Sequence, residues 1–284
     1  MKKWIVIPLV FLLFLVFSCN RTPKQNTLRI GYTDFSFDQA IVFVLKGILD
    51  QQPNLIVELY RVPETTLFSA LAEGELDIGL SGWLPHTHQS FLDMHPYEIR
   101  VHSMITDSLG LYMVVPEYAN LNSINDLRDL SNLFRNTILI PENQNAIYPL
   151  GSNVITDYGL DDYNLQEASW DNIISYVDDS VRNNLNFAFI SIRPHHSFRR
   201  FNLRTLDDPR RSLGVYEQAF LLTNSNFHER MPLIADFLSQ VRFTLNDVEQ
   251  LMEMNQVLGS EPYENALRWI NQNTRMINRW LLGD

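Results

Sequence analysis

A short stretch early in the chain combines one tryptophan, one proline and two histidines. The stretch reads "SGWLPHTHQSF" and contains Trp83, His86 and His88. A second histidine pair, His195 and His196, stands in "ISIRPHHSF". An indole face attracts cations, whereas neutral imidazoles bind zinc and related ions or act as general bases. These residue types therefore allow three kinds of site: an aromatic pocket for a cation, a metal site, or a hydrolase triad.

The hydrolase hypothesis has little support beyond the residue types. Asp77, Ser81 and Asp93 are near the first histidine pair, but the chain has no nucleophile elbow, glycine-rich phosphate loop or HExxH helix. The protein is therefore not expected to be an enzyme, and no cofactor is predicted. A zinc-capturing lipoprotein that uses the four histidines of the two loops remains an alternative, although neither loop holds an Asp or Glu at ligand spacing.

The chain begins with the pattern of an exported lipoprotein. Two lysines precede an almost unbroken apolar run from Trp4 to Phe17, which is shorter than the roughly 20 residues of a membrane-spanning helix. Residues 1–18 are therefore predicted to be a signal peptide that is removed. The string "VFSC" resembles a lipobox, so Cys19 is expected to carry the lipid and residues 19–27 to form the tether. The protein is then anchored at the cell envelope, in the periplasm or on the outer face of the cytoplasmic membrane.

Charge and length limit the partners and the architecture. The formal net charge is −11, and it becomes −13 when the two lysines of the signal peptide are lost. Because nucleic-acid binding depends on Lys and Arg that neutralise phosphates, nucleic acid is not expected as a partner. The remaining chain of about 265 residues fits two ordinary domains with a cleft between them, and a monomer is expected.

Strand-like and helix-like segments alternate along the chain. "LRIGYTDF" and "LIVELYRV" are rich in branched and aromatic residues, and "QAIVFVLKGILDQQ" between them has apolar residues at helical spacing. This order predicts an α/β fold with a largely parallel sheet, in which ligands bind beyond the carboxyl ends of the strands. The loops "GYTDFSF" and "SGWLPHTH" both follow predicted strands and are expected to meet at one crevice.

The same order returns in the second half, which predicts an inserted second domain. Pro116 interrupts a strand pattern and Ser123 is expected to begin a short helix. A polar return and an apolar strand then precede closing helices, whose Trp269 and Trp280 are expected to be packing residues. We predict that lobe 1 comprises residues 28–115 and 213–284, and that lobe 2 comprises residues 116–212.

Four segments of the chain match the pattern of one known family. They are "IGYTDFSFDQAIV", "GELDIGLSGWLPHTH", "IPENQNAIYPLGSNVITDYGL" and "ISIRPHHSF". With them the chain resembles the substrate-binding proteins of ABC importers for glycine betaine and related quaternary amines. The resemblance implies a two-lobed, periplasmic-binding-protein-like fold of type II. It also implies capture of a quaternary-ammonium osmolyte for osmoprotection and its delivery to an ABC permease with an ATPase subunit.

The resemblance further implies an aromatic box for the ammonium group and a histidine for the carboxylate. A quaternary ammonium cannot donate a hydrogen bond, so aromatic faces around its methyl groups select it. Trp83 matches one box tryptophan, and His88 matches the carboxylate-binding histidine. Phe37 stands where a second tryptophan is expected, and Phe35 is close enough to exchange roles with it.

The other matching positions depart from the family pattern. Ile192 stands where the third box tryptophan is expected, although His195 is retained. If nothing replaces that aromatic wall, its loss costs about 1–2 kcal/mol of binding free energy, or roughly 5- to 30-fold in affinity. Tyr148 or His196 could fill the gap. The remaining predicted ligand-binding residues come from one loop, where backbone amides are implied to face the carboxylate: Asn145, Ala146 and Ile147.

Overall fold

A computed structural model describes residues 26–142 and 147–283 of the chain. The predicted signal peptide, Cys19 and nearly all of the predicted tether lie outside the described residues. Within the described ranges, no helix is both long enough and apolar enough to cross a membrane.

Lobe 1 begins with three strands that alternate with helices, as the sequence predicts. The elements are, in chain order, β1 (Asn26–Tyr32), α1 (Ser36–Leu49), β2 (Leu55–Arg61), α2 (Glu64–Ala72), β3 (Ile78–Leu84) and α3 (Gln89–Met94). β1 pairs in parallel with both β2 and β3. Helix α2 ends just before Gly74, whose φ of +75° is a left-handed conformation that glycine adopts readily.

A single long strand, β4 (Ile99–Pro116), connects the two lobes. Its first part pairs antiparallel with β9 (Glu217–Asn224) up to the pair Leu109 and Glu217. Its second part pairs antiparallel with β7 (Ala188–Arg193), starting at the pair Gly110 and Arg193. The strand therefore changes partner between Leu109 and Gly110, and we place the lobe boundary there rather than after residue 115.

Lobe 2 repeats the alternation of strand and helix. The elements are, in chain order, β5 (Thr137–Pro141), α4 (Ile147–Tyr158), β6 (Asn164–Ala168), α5 (Trp170–Arg182), β7, α6 (Ser197–Arg200) and β8 (Leu203–Leu206). β5 pairs in parallel with β6 and β7, and β8 pairs antiparallel with β4. The short helix expected at Ser123 is a 3₁₀ helix over Ile124–Leu127, capped by the Ser123 side chain.

The strand order in the described chain is β2-β1-β3-β9-β4-β7-β5-β6, with β8 beside β4. The prediction of a largely parallel sheet is correct for the outer part of each lobe. It is wrong at the centre, where β9 runs antiparallel to β3 and β4. The reason is that β4 carries the chain into lobe 2 and the segment leading to β9 brings it back, so these strands run in opposite directions.

The chain closes with helices that complete lobe 1. They are α7 (Phe227–Arg230), α8 (Pro232–Gln240), α9 (Leu245–Asn255), α10 (Pro262–Gln272) and α11 (Thr274–Leu282). Trp269 is fully buried and packs with Trp280 and Phe243, with ring centroids 5.0–6.4 Å apart. The prediction that both tryptophans pack in the core is confirmed. The buried apolar clusters of lobe 2 are separate from this one.

A buried ion pair joins the lobes beside β7. The Arg193 Nε lies 2.6 Å from the Glu249 Oε1, and the Arg193 Nη2 lies 3.2 Å from the Oε2. Glu249 is in α9 and is 1% exposed. Burial raises the pKa of Glu249, while the hydrogen bond and charge of Arg193 lower it. Arg193, together with the backbone N–H of His195 and the charge of Arg199, therefore opposes the effect of burial on the pKa of this carboxyl group.

Trp269→Ala should lower the free energy of unfolding by about 3–5 kcal/mol, because it leaves a large cavity in the lobe 1 core. Urea denaturation followed by circular dichroism measures this loss. Leu258→Ala is the control, since Leu258 is completely exposed and its removal should change stability by less than about 0.5 kcal/mol. Equal stabilities of the Trp269 variant and the wild type would contradict the packing role.

Arg193→Met should destabilise the protein by about 3 kcal/mol at pH 7, because it removes the paired guanidinium from a buried carboxylate. The pKa of Glu249 is raised in the folded state, so the folded protein favours the protonated carboxyl group. This contribution to the free energy of unfolding is lost as pH rises. The destabilisation should therefore shrink as pH falls from 7 towards 5 in urea titrations. Arg182→Met, which removes an exposed pair with Asp178, is the control and should show neither effect. A loss independent of pH would argue against an ionised Glu249.

Candidate ligand-binding site

Trp83 lies near the end of β3, at the border between the lobe 1 core and a cleft. The strand continues to Leu84 because Gly82, Trp83 and Leu84 pair with β9, with Trp83 opposite Ala219. The indole is 6% exposed, and its Nε1 has no hydrogen-bond partner among the described residues. One part of the ring packs in the core, and another part lines the cleft.

The cleft lies where the two lobes meet and has a volume of about 620 Å³. Trp83, His86 and Thr87 line it from lobe 1, and Leu150 and Ile192 line it from lobe 2. The floor comes from the two chain crossings, through Gly110–Leu111 and Leu213–Val215. This lining is mostly apolar, as expected for a site that holds a small ligand with bulky methyl groups. The prediction of a cleft between lobes is confirmed by this arrangement.

One acidic residue, Glu217, lines the cleft and was not anticipated from the sequence. It begins β9, and its side chain accepts hydrogen bonds from the backbone N–H of Thr87 at 3.1 Å and from the Thr87 Oγ1 at 2.8 Å. These bonds tie the loop after β3 to the chain crossing. Its sequence context is an ordinary strand start, and only the strand pairing reveals that it lies beside Thr87.

The two phenylalanines after β1 differ in exposure. Phe37 is fully buried and meets Trp83 edge-on, with centroids 5.5 Å apart. Phe37 is therefore enclosed behind Trp83 in this structure, and its role as second wall stays a prediction. Phe35 is half-buried, lies 5.5 Å from the same indole and lines a different depression of about 520 Å³, which shares no lining residue with the cleft. Of the two positions, Phe35 is the one with an accessible face.

His88 is buried beneath the loop rather than exposed in the cleft. Its Nδ1 accepts a hydrogen bond from the Trp83 N–H at 2.8 Å, and its Nε2 lies 3.2 Å from the Glu64 Oε1. Burial lowers the pKa of His88 to about 4, so the ring is neutral with its proton on Nε2. Both nitrogens are therefore engaged within lobe 1, and binding of a ligand carboxylate by His88 stays a prediction.

The second histidine pair lies within lobe 2. His195 is buried, stacks on Trp170 with centroids 4.2 Å apart, and its Nδ1 lies 2.9 Å from the Ser197 Oγ. Burial, followed by the neighbouring His196, lowers the pKa of His195 to about 3. Neither histidine lines the cleft. Across residues 26–142 and 147–283, no group of three or more His, Cys, Asp or Glu side chains could hold a metal ion, and the zinc hypothesis is not supported.

The predicted carboxylate loop lies partly outside the described chain. Asn145 and Ala146 are among the residues that the structure does not describe, and α4 begins at Ile147. Tyr148 is 41% exposed in the first turn of α4 and does not line the cleft; Leu150 from the same helix does. Ile192 lines the cleft wall, and the binding of a ligand by Tyr148 or Ile192 stays a prediction.

Comparison with known sequences identifies relatives of this chain. A family model described as the substrate binding domain of ABC-type glycine betaine transport systems matches residues 26–272. The glycine betaine/carnitine transport binding protein GbuC of Listeria monocytogenes is 30% identical over 134 residues. That match spans 46% of this chain and 44% of the relative, which is under half of its length.

Solved structures share the fold. Lactococcal OpuAC, in its closed conformation with glycine betaine, gives a TM-score of 0.67 at 21% identity, covering 90% of this chain and 99% of that one. ProX from Borrelia burgdorferi gives 0.65 at 20% identity, covering 91% and 97%. Both are two-lobed binding proteins, which confirms the predicted fold class. Because the family model covers most of the chain, the protein belongs to the family of substrate-binding domains of ABC-type glycine betaine transport systems.

Proposed function

We propose that the protein captures glycine betaine or a related quaternary-ammonium compound in the interlobe cleft. The observation that carries this proposal is the indole of Trp83, which borders a mostly apolar cleft between the lobes. An indole face attracts a methylated ammonium electrostatically, and the aliphatic wall opposite accommodates its methyl groups without requiring hydrogen bonds. The family match and the glycine betaine-binding relatives support the same class of ligand.

The transport role follows from the family. We propose that the protein is an exported lipoprotein, anchored through Cys19, which works as a monomer and passes its ligand to an ABC permease with an ATPase subunit. The apolar N-terminal run and the lone cysteine support the anchor. No catalytic chemistry is assigned to the site: binding and release of an unchanged ligand are sufficient for this role.

The cleft is lined by residues of both lobes, and this gives a mechanism for retaining the ligand. Trp83 comes from lobe 1 and Ile192 from lobe 2, so a ligand between them contacts both. A ligand that contacts both lobes favours conformations in which the lobes are close, by as much as its affinity differs between the open and closed states. The permease would then receive the closed, loaded form.

Trp83→Ala should weaken binding of quaternary ammonium compounds by about 30-fold or more, since it removes the main cation–π face from a desolvated site. Calorimetric titration with glycine betaine, choline and carnitine measures this. Trp83→Phe should retain part of the affinity. Trp170→Ala is the matched control, because Trp170 stacks on His195 away from the cleft and its loss should leave affinity unchanged. Undiminished binding by a folded Trp83→Ala protein would exclude the aromatic site.

Ile192→Trp should strengthen binding of the same compounds by about 5- to 30-fold, because it adds an aromatic face to the lobe 2 wall. Ile192 is only partly buried, and its cleft side leaves room for a larger ring. Ile192→Leu is the control, as it adds no aromatic face and should leave the affinity within about threefold. Equal affinities of the tryptophan and leucine variants would show that Ile192 does not meet the ammonium group.

A further inference from the structure

The cleft contains a buried carboxylate whose charge is not matched by a Lys or Arg side chain among the described residues. Glu217 is 8% exposed and lines the cleft together with Trp83 and Thr87. Its oxygens accept hydrogen bonds from Thr87, a neutral donor. Within the described part of the chain, Glu217 forms no ion pair, and no Lys or Arg lines this cleft. The site therefore has net negative character in addition to its aromatic face.

The position of Glu217 is fixed by backbone pairing rather than by a flexible loop. The residue is held opposite Leu109 of β4, one position before that strand changes partner. The next residues of β9 pair with Leu84 and Trp83, so the carboxylate and the indole are carried by neighbouring strands of one ladder. A ligand seated against the indole is thus close to the carboxylate as well.

The charge of a ligand then decides how well this cleft accepts it. A trimethylammonium group cannot donate a hydrogen bond, so it leaves the bonds between Thr87 and Glu217 intact while gaining electrostatic attraction to both the carboxylate and the indole. A second carboxylate in the same small, poorly solvated space is repelled by Glu217, because no Lys or Arg of the described cleft lining offsets the two negative charges. Net-cationic compounds are therefore favoured over zwitterions.

We propose that Glu217, held by Thr87, is a specificity-determining residue that makes the cleft prefer net-cationic quaternary ammonium compounds to zwitterionic betaines. This inference rests on the proposed function and narrows its ligand class. It assigns to Glu217 a direct electrostatic effect on the bound ammonium group, separate from the aromatic contact of Trp83.

Three probes of similar size separate charge from shape. Choline is a cation, glycine betaine is a zwitterion with the same trimethylammonium group, and 3,3-dimethylbutan-1-ol is the neutral carbon analogue of choline. In calorimetric titrations of the purified wild-type protein, choline should bind at least about tenfold more tightly than either of the others. Tighter binding of glycine betaine than of choline would overturn the inference even without any variant.

Glu217→Gln removes the charge and keeps an oxygen that accepts the Thr87 hydrogen bonds. The variant should bind choline about tenfold more weakly and glycine betaine equally or more tightly, so that the preference narrows or reverses. Glu75→Gln is the matched control, since it makes the same change in net charge at an exposed position before β3, and it should leave the preference unchanged. Thermal unfolding of each variant establishes that it is folded.

The outcomes distinguish this inference from the proposed function. If the wild type and Glu217→Gln bind choline and glycine betaine with the same preference, the role of Glu217 is excluded while quaternary-ammonium binding stands. If none of the quaternary compounds binds the wild type, the proposed function fails and this inference fails with it. If Glu217→Gln does not fold, the comparison of the three probes on the wild type decides alone.

Discussion

The backbone pairing of β4 with β9 and β7 is the constraint on which the binding site depends. One strand pairs with β9 up to Leu109 and with β7 from Gly110 onward, so its change of partner defines where lobe 1 ends and lobe 2 begins. The same registers place the cleft residues. Trp83 is fixed opposite Ala219 in β9, and Ile192 is fixed opposite Leu111 in β4. The aromatic side and the aliphatic side of the cleft thus belong to one continuous hydrogen-bonded frame.

Local patterns in the sequence were sufficient to predict the general alternation of strands and helices, but not the individual elements α3, β6 and α5. Branched residues and helical spacing gave the alternation of strands and helices, because these patterns reflect burial on one side of a single element. The change of pairing partner within β4 could not be predicted, because apolar residues run through the strand on both sides of Gly110 and no local signal marks it. Glu217 was missed for the same reason: its contact with Thr87 joins residues far apart in the chain.

The tryptophan–histidine motif illustrates how one spacing can have two physical causes. The His88 N–H donates to the Trp83 carbonyl at 3.0 Å, and the Trp83 N–H donates to the His88 Nδ1 at 2.8 Å. This reciprocal pair closes the turn after β3 and so orients the indole. A motif interpreted only through ligand contacts assigns His88 to the ligand, whereas the structure also gives it a role in shaping the loop. Phe37 is a similar case, since its aromatic type suits a core position behind Trp83 as well as a cleft wall.

The continuous ladder across the lobe junction also restricts how the lobes can move. Sliding one lobe along β4 would break a row of backbone hydrogen bonds at once, and buried backbone groups left unpaired are costly. Bending and twisting about the strands preserve these bonds. Because the ion pair between Arg193 and Glu249 also spans the junction, separating the lobes there would expose a charge pair that is now largely enclosed. Rotation with these contacts as a pivot is therefore the mechanically favoured motion, and it changes the width of the cleft without altering the strand register.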